Sequence, residues 1–310
     1  MLIENYVWIL VFSVNLFAIS SIMAKYLITG SGGPINFFLY QLVLGFPVIL
    51  LLSYFEYWED TPLSSILNIR ILTIFFFLSL FAFFGFVSLL NGFNEGNVSV
   101  GGIILSARVL FSVPLAIIIL SETYNSYVYL SIVVALIGSI IVSWDNKLDL
   151  KALFSLKAPG IRWYFMTTIF WSLSNFSIRY VGDELPTFTI IAIRQVYMLV
   201  FTFIYYSIKR KDLLSKRKRV DLRLFLVLTT YVAILTIAQA GFVFGLSNSL
   251  TITEGIGVAE GSFTLLYTLL LAKFIDNSVL QEPMDRKTVG VRIIGAIIAV
   301  IGTFGVIIYS

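Results

Sequence analysis

The sequence predicts an all-α integral membrane protein whose ten transmembrane helices form two inverted five-helix repeats. Three observations carry that expectation. Hydrophobic residues fill 59% of the 310 positions and charged residues only 12%, about half the charged share of an ordinary soluble domain. The apolar residues fall in blocks of about 20, the length that crosses a hydrocarbon core. A constant offset relates residues in the two halves of the chain.

The blocks cover about 6–28, 35–55, 70–94, 97–120 and 126–144, then 161–181, 187–208, 222–247, 253–275 and 288–309. The first run, Tyr6 to Ile28, lacks a basic leading segment and is long enough to span, so it reads as a helix rather than a cleavable signal. Gly32, Gly33 and Pro34 punctuate the entry to the second block and Pro186 the entry to the seventh. A polar connection over 146–160 separates a first repeat, 1–145, from a second, 161–310.

At an offset of 154, Lys25 and Tyr26 match Arg179 and Tyr180, Gln41 matches Gln195, and Gly101 matches Gly255. In the last helix of each half, Ala135 and Gly138 match Ala299 and Gly302 at 164, the ten extra residues falling near Asp276 to Asp285. Five is odd, so the second half enters the membrane from the opposite side, and such repeats place substrate near the midplane and rock around it.

Seventeen of the 21 Lys and Arg residues flank odd-numbered connections, eight of them between Lys209 and Arg223, while Arg70 and Arg179 alone flank even-numbered ones. The positive-inside rule then puts both termini outside a plasma or inner membrane and the Lys209–Arg223 loop in the cytoplasm. That basic run reads as a topology signal and not as a nucleic-acid site.

With no cysteine and no histidine, disulfides, thiolate nucleophiles, His triads and His metal sites are excluded. A membrane enzyme needs paired acids, a Ser with a base, or metal ligands at one depth. None is found, so no catalytic residue, metal or cofactor is assigned. An ion channel usually shows a ring of like charges or carbonyl filter loops, a pattern the sequence lacks. A receptor or structural membrane protein stays as the alternative of another class.

Ionisable residues deep in a span are costly and mark function by default. Arg108 lies near the middle of the fourth block and Glu260 about a third of the way into the ninth, within about 10 Å of one depth at 1.5 Å per residue. Two readings stand: Arg108 receives an anionic group and Glu260 an ammonium, suiting a zwitterion such as an amino acid, or the two form a bridge that holds the halves. Glu260 is also a candidate carrier for a coupling proton. Arg194, about two turns into the seventh block, is a further anion candidate or a snorkelling residue. Asn175 and Gln239 are amides that either meet substrate or bond a neighbouring helix. Trp171 and Tyr40 offer aromatic faces that suit a quaternary amine or drug-like cation.

The chain resembles the drug/metabolite transporter superfamily, and within it the EamA-like permeases. Trp171 and Ser172 match the family's Trp-small pair, with Phe17 and Ala18 at the first-half position. Arg194 matches its Arg early in the second helix, where the first half has Tyr40. Pro114 matches its mid-helix Pro, with Thr268 opposite; Glu122 and Glu282 match the closing Glu; Gly138 and Gly302 match its packing glycines. The resemblance implies a permease moving small polar metabolites, amino acids or related compounds among them, with export as one direction. The two-half repeat implies alternating access through a monomer, and a proton or counter-substrate stays open as coupling partner. The family is usually drawn with cytosolic termini, against the cation count.

Overall fold

The computed structural model describes residues 5–60, 68–96, 98–142, 160–209, 221–271 and 286–310. Among these residues there is no strand. The first half of the chain comprises α1 (Asn5–Gly30), α2 (Pro34–Asp60), α3 (Ile69–Glu95), α4 (Val98–Ser106), α5 (Val109–Leu120) and α6 (Ser126–Val142). The rest comprises α7 (Ile161–Val181), α8 (Thr187–Ile208), α9 (Leu222–Asn248), α10 (Leu250–Gly257), α11 (Glu260–Leu271) and α12 (Arg286–Tyr309). Six of them, α1, α2, α3, α8, α9 and α12, are long and apolar enough to cross a membrane by themselves. With α4–α5 and α10–α11 each taken as one interrupted crossing, the helices fit ten spans. The basic connection over 210–220, Glu282, and most of the connections around 146–160 and 276–285 lie outside the described residues.

The surface is inverted relative to a soluble protein. Ile118, Leu110 and Ile301 face outward, whereas Arg108, Arg194, Glu254, Glu260 and Arg292 are buried. That arrangement is stable only where lipid replaces water, because buried charges must then find partners inside. Arg292, counted with the loop cations from sequence, lies within α12 and is buried.

Helices of the two halves pack in pairs: α1 against α9, α3 against α7, α2 against α8, and α6 against α12. Each pair runs antiparallel. In the last pair a Cβ on Gly138 would collide with the backbone of Ala299, one on Gly302 with Ala135, and one on Gly295 with Val142. Position numbers fall on one helix as they rise on the other. Small residues let these backbones touch, the usual means of helix association in lipid. On α3 and α7, Gly85 receives Trp171, and Gly92 receives Tyr164.

The fourth and ninth spans, expected from sequence to be continuous, are interrupted. Ala107 and Arg108 close short turns onto Ile104 and Leu105, so the α-helical ladder resumes only at Val109. Val258 and Ala259 break the other span in the same way. Carbonyls at the breaks are satisfied by hydroxyls: Ser106 and Ser139 both donate to Val258, Ser172 to Arg108 and Thr168 to Ile104. The two interrupted crossings approach closely where a Cβ on Gly102 would lie 3.0 Å from Gly261 Cα.

Candidate functional site

The breaks position the charges. Arg108 is the N-cap of α5 and Glu260 the first residue of α11, so both project from helix starts into the space between halves. A carboxylate at a helix start is favoured by the dipole and a guanidinium there is opposed by it. Arg108 is compensated by two acids. Its Nε lies 3.3 Å from Glu254 Oε2, and its Nη2 lies 3.9 Å from Glu260 Oε2. The guanidinium also sits over the rings of Trp171, 5.2 Å from the centroid, and Phe242, 5.8 Å, where a cation is stabilised by the ring quadrupole.

Glu254 is the acid the sequence reading missed. A ninth block that begins at residue 253 sets Glu254 at the membrane surface. Instead α10 begins at Leu250 and all eight of its residues are buried. Glu254 is firmly held: Asn175 Nδ2 donates to its Oε1 at 2.7 Å and Ser112 Oγ at 3.3 Å.

A cavity of about 50 Å³ lies between the two main apolar clusters. Six of the seven residues singled out from sequence border it: Arg108, Trp171, Asn175, Arg194, Gln239 and Glu260. Aromatic rings of Phe17, Phe86 and Phe242 complete much of the wall. Tyr40, the seventh, is not on the cavity; it packs, partly buried, against the cluster around Phe38 and Phe86. The volume holds a few waters, well below the roughly 300–1,000 Å³ of a ligand-bearing pocket. The cavity is therefore contracted, too small for a metabolite in this conformation.

Arg194 differs from Arg108 in its company. Its Nη2 donates to Gln239 Oε1 at 3.1 Å, its Nε has no partner, and among the described residues no carboxylate pairs with it. It is 6% exposed. The snorkelling alternative fails, because the side chain reaches inward.

At one end of the site a second polar network closes the bundle. Glu122 accepts from the backbone N–H groups of Leu250 and Thr251, each at 3.0 Å, and from Arg179 Nε at 3.0 Å. Burial alone would raise the Glu122 carboxyl, but these donors hold it below the ordinary carboxylate value. Arg179 also meets Asp183 at 2.9 Å. Elsewhere Lys25 Nζ donates to Gly96 O at 2.6 Å, ending α3, so the cation serves as a buried cap. No cluster of three metal-ligating side chains occurs among the described residues.

Residues 5–144 match the model of the EamA-like transporter family, part of the drug/metabolite transporter superfamily. A solved crystal structure is similar over 94% of this chain and 95% of its own, with a TM-score of 0.65 and 14% identity, a likeness of fold. The chain matches none of the curated protein sequences with which it was compared.

Proposed function

We propose, from the membership of residues 5–144 in the EamA-like transporter family, that the chain is a secondary transporter carrying a small polar metabolite by alternating access. The single observation that carries the substrate reading is the convergence of six polar or aromatic candidates on one small cavity between the halves. An enclosed space with a few polar groups in an apolar wall is the usual form of a small-molecule site. The antiparallel pairing of corresponding helices α2 with α8 and α6 with α12, and the reciprocal pairs α1–α9 and α3–α7, support two inverted repeats, and interrupted helices at the charges suit transporters that bind at the midplane.

An amino acid or related compound suits a cavity carrying both signs of charge. A quaternary amine is the weaker reading, because Arg108 already occupies the face of Trp171 and Tyr40 stands off the cavity. The site lies in a multi-pass protein of the plasma or inner membrane, with termini outside by the cation count, and one chain supplies both halves of the pathway.

The test is exchange in proteoliposomes loaded with unlabelled amino acids and offered the same labelled compounds outside. Saturable uptake above that of protein-free vesicles is the expected result. Absence of uptake for every compound, with protein that is folded and inserted, would remove the amino-acid reading.

A further inference from the structure

The charge inventory around the cavity is unequal, and the inequality assigns roles. Arg108 is shared by two carboxylates and two aromatic rings. Glu254 is saturated by Arg108, Asn175 and Ser112. Arg108 Nε makes no hydrogen bond either, but it faces Glu254 Oε2 at 3.3 Å, so these two groups can serve a ligand only by breaking a buried ion pair, which is costly. Two charges remain underused. Glu260 has the Ser21 hydroxyl and meets Arg108 only at 3.9 Å, and Arg194 has Gln239 alone, with an unpartnered Nε.

From this geometry we infer that Arg194 and Glu260 are the specificity-determining pair, binding the anionic and cationic groups of a dipolar substrate, while Arg108 serves as the fixed counter-ion of Glu254. The inference rests on the transport reading above and deepens it. It also reverses the sequence expectation that Arg108 receives the anion.

The electrostatics favour one dipolar ligand over two simpler occupants. A proton on Glu260 would relieve one carboxylate and leave the Arg194 guanidinium buried without a counter-charge. A lone anion on Arg194 would leave the two carboxylates sharing one cation. A molecule carrying both charges satisfies both ends at once, and its own hydration loss is repaid by charge-assisted hydrogen bonds at each end. Since Arg194 borders the same cavity as Glu260, one small molecule reaches both once the site opens. The planar guanidinium of Arg194, with a free Nε beside a committed Nη2, presents its remaining donors to a carboxylate or another planar anion. Phe17, Phe86 and Phe242 leave apolar wall for the body of the molecule.

The experiment is a substrate-deletion series measured by calorimetric binding to the purified full chain in nanodiscs. The probes are alanine, leucine and phenylalanine, each with its decarboxylated amine and its deaminated acid. The wild type is expected to bind at least one dipolar probe tenfold or more tightly than either single-charge relative. Arg194→Gln should bring that dipolar probe down to the level of its amine, and Glu260→Gln down to the level of its acid. Arg194→Lys and Glu260→Asp, which keep the charges, should retain part of each preference and serve where a neutral variant fails to fold.

Preference for the carboxylate surviving in Arg194→Gln would overturn the assignment, as would a wild type that binds a single-charge relative as tightly as the dipolar probe. A wild type that binds no dipolar probe overturns it too. Saturable exchange of a singly charged compound in the proteoliposome assay would then leave the transporter reading standing without the dipolar site.

Discussion

Arg108 occupies an unfavourable place for a cation, the N-cap of α5, and its stability there depends on the acids facing it. Truncating one partner of a buried pair leaves the other charge uncompensated, at a cost of about 3–5 kcal/mol. Glu254→Gln should therefore melt well below the wild type in detergent, whereas Glu260→Gln, which loses a 3.9 Å ion pair and keeps an amide oxygen for the Ser21 hydroxyl, should melt much closer to it. Equal losses would contradict the division of roles between the two acids. Glu122 lies outside the spanning helices and its carboxyl titrates below the ordinary value. A depressed folded value means the stabilisation is complete above the unfolded value near 4.5 and is lost as pH falls through the folded one. Thermal melts taken from pH 7 downward should show an acid-side drop that is diminished in Glu122→Gln. Arg108, Arg194 and Glu260 were legible in the sequence because a charge within an apolar block is conspicuous. Glu254 was not, since its depth depends on a short helix whose start sits beneath the Glu122 network, and block boundaries do not register such a cover.

At the scale of elements, block lengths placed nearly every helix, because membrane spans are set by hydrocarbon thickness more than by local propensity. The interruptions at Arg108 and Val258 escaped that reading. Each replaces a turn of helical ladder with hydroxyl-bonded carbonyls, and hydropathy does not change when Ser106, Ser139 or Thr168 takes over a backbone bond. The α7 helix shows the complementary effect: Thr167, Thr168, Ser172, Ser174 and Asn175 are buried polar residues that lower its hydropathy, Ser174 and Asn175 bordering the cavity and the others bonding carbonyls of neighbouring helices. The α6–α12 seam was legible through Gly138 and Gly302. Gly138→Val would drive a branched side chain into the Ala299 backbone, an overpacking worth about 1–3 kcal/mol or more. It should reduce the yield of folded, monodisperse protein sharply, whereas Gly290→Val, with open space around its position, should not. Similar yields for both would argue against close packing along this seam.

For the whole molecule, alternating access requires that the cavity open to each side in turn, with corresponding helices of the two halves exchanging roles. In the proposed cycle the opening movements would involve the Glu122–Arg179 network and the aromatic packing of Phe38, Phe83 and Phe86. The chain contains no cysteine, so a single introduced thiol reports without background. The most direct measurement is labelling of Ser174→Cys, on the cavity wall and 2% exposed, by a membrane-impermeant maleimide applied separately to right-side-out and inside-out vesicles. The expected result is slow labelling from both sides, with the balance shifted by a transported compound. Labelling from one side alone, unchanged by any compound that the proteoliposomes exchange, would contradict alternating access through this cavity.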